Sequence, residues 1–241
     1  MDILRNFKQY FTFTKKEAIN VAITCLVLGF VFSFREWGAE AFDFRAGLFS
    51  WLNAFLVCLL AVLVHVFVQK TVAVYRGYKS DYALSKIGLV ICILFVFYSN
   101  GAITLALPGV ITLSVIEQFR LGKRWQGLLR KDEALVAFIG PLANIILAIL
   151  FKGVLNLGLT NQLIQKAVAV NMWMAIFSIL PIPGLGGFKI FYHSRTWGLF
   201  SIVFIISLSV FLTWYTFWQT VITALVLSAL FAIVYFITVE L

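Results

Sequence analysis

The chain has 241 residues, of which 62% are hydrophobic and 12% charged, with a mean hydropathy of +1.00. So much apolar sequence excludes a soluble globular domain and predicts an all-α polytopic membrane protein. The net charge of +9 sits in short segments between apolar runs, which is a membrane-topology pattern and argues against a nucleic-acid surface.

Residues 1–16 mix Arg5, Lys8, Lys15 and Lys16 with aromatic side chains and read as an interfacial lead-in. Apolar runs then follow at about 17–34, 46–75, 87–99, 102–117, 134–152, 162–180, 197–213 and 216–238. They predict about eight spans. The second run exceeds the ~20 residues a bilayer needs and is expected to tilt, protrude or break near Asn53. The runs at 87–99 and 102–117 are short, and Pro108-Gly109 interrupts the latter, so 87–117 is either two spans or a re-entrant hairpin. Cys25, Cys58 and Cys92 lie inside apolar runs with no C-x-x-C, which argues against a disulfide framework. Of the 19 Lys and Arg, 14 fall in the segments 1–16, 76–86, 118–133 and 181–196. That asymmetry predicts a cytoplasmic amino terminus in a protein of the cell membrane. No internal repeat is present, which disfavours an inverted-repeat transporter.

The chain is organised around Leu60–Gly77, an apolar helix that carries His65, Gln69 and Lys70. His65 and Gln69 are one helical turn apart on one face, and His65 lies ~16 Å along the axis from Arg76. Polar groups at that depth mark a functional site by default.

Three ordered segments resemble the site-2 protease family of intramembrane zinc metalloproteases. His65-Val66-Phe67-Val68-Gln69 stands where the family has H-E-x-x-H, and Gly77 follows at the family's distance. Gly140-Pro141-Leu142-Ala143-Asn144 is like its G-P-L-A-N, and Ser178 to Gly187 is similar to its N-L-x-P-x-P-x-L-D-G. The resemblance covers about 46–195. It implies a three-helix core built from the His65 span, the Gly140 span and the span ending at Pro181. It divides the chain into a lead-in with first span (1–45), a membrane core (46–195) and two carboxy-terminal spans (196–241). It also implies that Gly140, Pro141, Asn144, Pro181, Pro183, Gly184 and Leu185 bind substrate.

The departures fall on the chemistry. Val66 replaces the general-base Glu, Gln69 the second zinc His, Gly186 the zinc Asp and Ser178 an Asn. A catalytic zinc needs three protein ligands plus a water whose pKa it lowers, and a base must take that proton. His65 alone survives; His193 is the one other histidine that a folded-back chain brings into question as a ligand. The resemblance, so damaged, implies a proteolytically inactive protein with no cofactor, which binds or sequesters a transmembrane segment within the lipid bilayer. The alternative is an active zinc protease with an atypical ligand set. A hydrogen-bonded polar pair between helices is the bland account of His65 and Gln69.

Overall fold

The computed structural model describes residues 7, 9–38, 42–116, 128–159, 161–215 and 217–240. Most of the basic loop, including Arg120, Lys123 and Arg124, lies outside the described residues, as does the start of the lead-in.

Helix α1 (Lys15–Ser33) opens with a capping box: Glu17 N–H donates to Thr14 Oγ1, and Thr14 N–H donates back to Glu17 Oε2. Helix α2 (Phe44–Tyr75) starts on the Asp43 side chain and runs unbroken through Asn53 for 32 residues, or about 48 Å. It is therefore longer than a ~30 Å hydrocarbon layer and protrudes or tilts. Gly77, at φ +81°, ends it and turns the chain into strand β1 (Tyr78–Leu84).

The region 76–117 departs from the sequence expectation. Helix α3 (Lys86–Tyr98) is capped by Ser85. The chain then reverses at Asn100 and Gly101, both at positive φ, and runs back without regular structure to strand β2 (Gly109–Val115). The run 102–117 is thus no helical span. It pairs antiparallel with β1, with Tyr78 opposite Val115 and Leu84 opposite Gly109. The fold is mostly helical, with one two-stranded sheet among the described residues. The physical reason is local: Pro108-Gly109 stops any helix, and Val110, Ile111, Thr112 and Val115 are β-branched residues suited to a pleat.

Helices α4 (Arg130–Asn156), α5 (Gln162–Ile179), α6 (Gly186–His193), α7 (Arg195–Phe211) and α8 (Phe217–Tyr235) complete the chain. Among the described residues, five helical segments are long and apolar enough to cross a membrane: α1, α2, α4, α5 and the stretch Trp218–Val239. Helices α3 and α7 are apolar but shorter, so among the described residues five helices, not eight, reach the length of a span. Large apolar side chains such as Leu56, Leu94, Ile146, Ile222 and Val234 face outward, as a lipid environment requires.

Two apolar clusters hold the helices together. Cys25, Leu28, Cys58, Val62, Val66, Cys92 and Tyr78 unite α1, α2, α3 and β1. Ala137, Ile145, Ile179, Ile190 and Ile205 unite α4 to α7. The two ends of the bundle are pinned differently. Lys166 pairs with Glu36, and Arg35 Nε donates to Asn100 O, at one end. At the other, Lys70 pairs with Glu17 at 2.7 Å, both 2% exposed, and its ammonium also donates to Thr12 O and Ser80 O. All three ammonium donors are thereby engaged.

Candidate functional site

Among the described residues the sheet has an unpaired edge on β2. The inner edge of β1 is occupied by helix side chains: Tyr82 N–H donates to Glu17 Oε1 at 2.8 Å, and Asn20 Nδ2 donates to Tyr82 O. Since Ser80 and Tyr82 direct their backbone groups away from β2, their partners in register, Leu113 and Ile111, direct theirs outward on the far side. Among the described residues β2 has no partner strand there. One side chain reaches that edge, with Lys189 Nζ donating to Ile111 O at 2.8 Å. The Tyr82 hydroxyl donates to Pro108 O and meets Thr24 Oγ1, which seats β2; burial pushes its pKa up and keeps it protonated.

The open edge borders a cavity of about 10 Å³, room for roughly one water. His65, Gln69, Glu133, Ser178, Gly186 and Lys189 line it together with β2. Three of the four family positions, His65, Gln69 and Gly186, are therefore brought to one place. Val66, the fourth, is fully buried in the apolar cluster between α1 and α2 and does not line the cavity.

Helix α4 receives His65 and Gln69 because Gly140 has no side chain. A Cβ there would stand 2.4 Å from His65 Nε2 and 2.5 Å from Gln69 Nε2. Pro141, one residue on, has no N–H to give to the carbonyl of Ala137 four residues earlier. Gln69 Nε2 donates to that carbonyl at 3.4 Å. The amide thus satisfies a buried acceptor that the proline orphans, which gives Gln69 a structural purpose where the family has a metal ligand. The Asn144 amide hydrogen-bonds His65 Nδ1 at 3.2 Å and fixes the orientation of the ring.

That account of Gln69 yields an expected result. Gln69→Leu should lower stability by about 1–3 kcal/mol, because it leaves Ala137 O buried and unpaired. In a Pro141→Ala background, which restores the helical N–H, the same change should cost nearly nothing. Thermal unfolding of the four proteins in detergent gives the cycle; equal losses in both backgrounds would refute the pairing.

Glu133 and Lys189 lie outside the three motifs of the sequence. They form an ion pair at 3.2 Å. The signal was present: positions 133, 137, 140 and 144 recur at helical spacing on one face of α4. His193 lies elsewhere, in an open cavity with Arg76, Lys131 and Asp132. Of the residues expected to bind substrate, Pro181, Pro183 and Gly184 are exposed, whereas Gly140, Pro141, Asn144 and Leu185 are buried.

These donors do not fit a catalytic zinc. His65 offers one imidazole, the Gln69 amide is engaged at Ala137 O, Gly186 offers nothing, and Glu133 is paired with Lys189. Among the described residues no three His, Cys, Asp or Glu side chains cluster. Three ligands and an open position are the minimum for zinc hydrolysis.

No family profile matches the chain, and no solved structure matches it. It is similar to a protein of Methanocaldococcus jannaschii that carries the name "Putative zinc metalloprotease", with 24% identity over 189 residues, covering 75% of this chain and 85% of that protein.

Proposed function

We propose that the chain is a site-2-protease-like membrane protein that holds a transmembrane segment of another protein in extended form without cutting it. The observation that carries this reading is the outer edge of β2, which has no partner strand among the described residues. It lies beside the cavity that Gly186 also lines, and the exposed, non-helical stretch Pro181–Gly184 precedes Gly186 in the chain. An unpaired strand edge is a template for strand addition, and main-chain hydrogen bonds supply affinity without side-chain chemistry. Val66 is in the apolar core and provides no base, so holding does not lead to hydrolysis. The charge asymmetry supports a cytoplasmic position for this end and the amino terminus.

The relative's printed name favours a second reading, an active zinc protease with an unusual ligand set. One experiment separates the two. A photoreactive residue at Ile182, which is 40% exposed, is expected to crosslink an intact membrane protein in native membranes, while one at Ile222 on the outer face of α8 gives lipid adducts. Leu113→Pro removes an outward N–H and spares the β1 ladder, so it should weaken the protein adduct about 2- to 10-fold. His65→Ala should leave the adduct intact. Lipid adducts alone at Ile182 would defeat the holding reading. A cleaved partner that becomes intact on His65→Ala, with about one zinc per chain, would establish the protease.

A further inference from the structure

Outside the His65 cavity, the sheet end of the bundle carries a second cavity of about 380 Å³, open at the surface. Arg76, Lys131, Asp132, Leu135, His193 and Trp197 line it. Two basic side chains and an imidazole thus share the cavity with one carboxylate. That carboxylate is already engaged: the Tyr78 hydroxyl donates to Asp132 Oδ2 at 2.7 Å, and Arg76 Nη1 meets Oδ1 at 3.3 Å. The Arg76 side chain is nevertheless 41% exposed, so the rest of its guanidinium fork is free to meet solvent or a ligand. The cavity therefore carries a surplus of positive charge. Its wall is amphipathic, with Leu135 and the half-exposed Trp197 indole on one side. Its height is also defined. Arg76 follows α2, and Lys131 and Trp197 lie in the first turns of α4 and α7, so the cavity sits at the ends of three apolar helices, where headgroup-binding side chains are expected.

We propose that this cavity binds the phosphate headgroup of an anionic phospholipid from the adjacent leaflet. Arg76 and Lys131 hold the phosphate. Trp197 and Leu135 cover the glycerol and the first methylenes. Basic pockets between helices at the cytoplasmic surface suit such headgroups, and each nearby Lys or Arg contributes about fivefold in affinity. The lipid is favoured over a free anion because Leu135 and the Trp197 indole line the same cavity as the two cations.

The test uses the full chain purified in neutral detergent, with thermal unfolding followed by tryptophan fluorescence. Phosphatidylglycerol, phosphatidylcholine and inorganic phosphate are titrated separately. Phosphatidylglycerol is expected to raise the midpoint at a mole fraction about tenfold below that of phosphatidylcholine, with millimolar phosphate giving little protection. Lys131→Gln should raise the phosphatidylglycerol requirement about fivefold, and adding Arg76→Gln should raise it about fivefold again. Because Arg76 touches buried Asp132, Lys131→Gln alone decides if the double variant is too unstable. Lys15→Gln with Lys16→Gln, exposed cations at the start of α1, should leave the selectivity unchanged. Equal responses to the two lipids, full protection by phosphate, or an equal loss in the Lys15/Lys16 control would overturn the site.

Discussion

Replacing Lys70 by methionine is expected to cost about 3–5 kcal/mol, among the larger single losses this fold offers. The change leaves Glu17 as an uncompensated buried carboxylate and strips Thr12 O and Ser80 O of their donor. Glu17 in turn holds Tyr82 N–H, so the damage passes directly into β1 and the register of the sheet. Lys70 also lies over the Phe13 ring, 4.7 Å from its centroid, which ties the segment before α1 to the same point. Pairing Lys70→Met with Glu17→Gln should recover much of the loss, since replacing both charges removes the desolvation penalty together with the attraction. Thermal unfolding in detergent measures both. A single-variant loss below about 1 kcal/mol would show that the pair is relaxed by water and does not anchor the sheet.

Gly187→Ala is expected to be comparably severe, for a steric reason. A Cβ at that position would lie 2.0 Å from Ile179 O and 2.3 Å from Leu180 O. These are backbone atoms at the end of α5, and no rotamer change relieves them. Overpacking commonly costs 1–3 kcal/mol, and a clash with main chain exceeds that range. The neighbouring Gly186 gives the internal control. A Cβ there finds its nearest atom at 3.5 Å, an ordinary contact, so Gly186→Ala should change stability by less than about 0.5 kcal/mol. Yield of monodisperse protein and its unfolding midpoint report the contrast. If Gly187→Ala is as mild as Gly186→Ala, the packing of α6 under the end of α5 is wrong.

The helices and the meeting of His65, Gln69 and Gly186 were legible in the sequence. Helical spacing puts His65 and Gln69 on one face, whereas the meeting of α2, α4 and the Pro181 segment was implied by the family resemblance alone. The sheet was not legible. An apolar run of β-branched residues reads equally as a short span or a buried strand, and only its pairing with the polar segment 78–84 decides. Gln69 illustrates a deeper limit. Pro141 announces a free carbonyl at Ala137, but which donor meets it depends on the approach that Gly140 permits between two distant helices. Glu133 was passed over because a carboxylate beside Asp132 at a helix start has an ordinary explanation; in the fold Asp132 turns to Tyr78 and Glu133 turns to the cavity.

The hairpin of α3 and its extended return has a consequence for how the protein is made. A helix of 13 residues reaches only about 20 Å, and the returning stretch 102–108 has no helical ladder to satisfy its own backbone. Neither half is a segment that an insertion machinery can release sideways into lipid. Helices α1 and α2 precede the hairpin in the chain, and they supply Cys25, Leu28, Cys58 and Val62 to the cluster against which Cys92, Ala106 and Leu107 pack. The hairpin is therefore expected to settle only once α1 and α2 are in place, since their side chains supply the surface it packs on and Tyr82 donates to Pro108 O at its base.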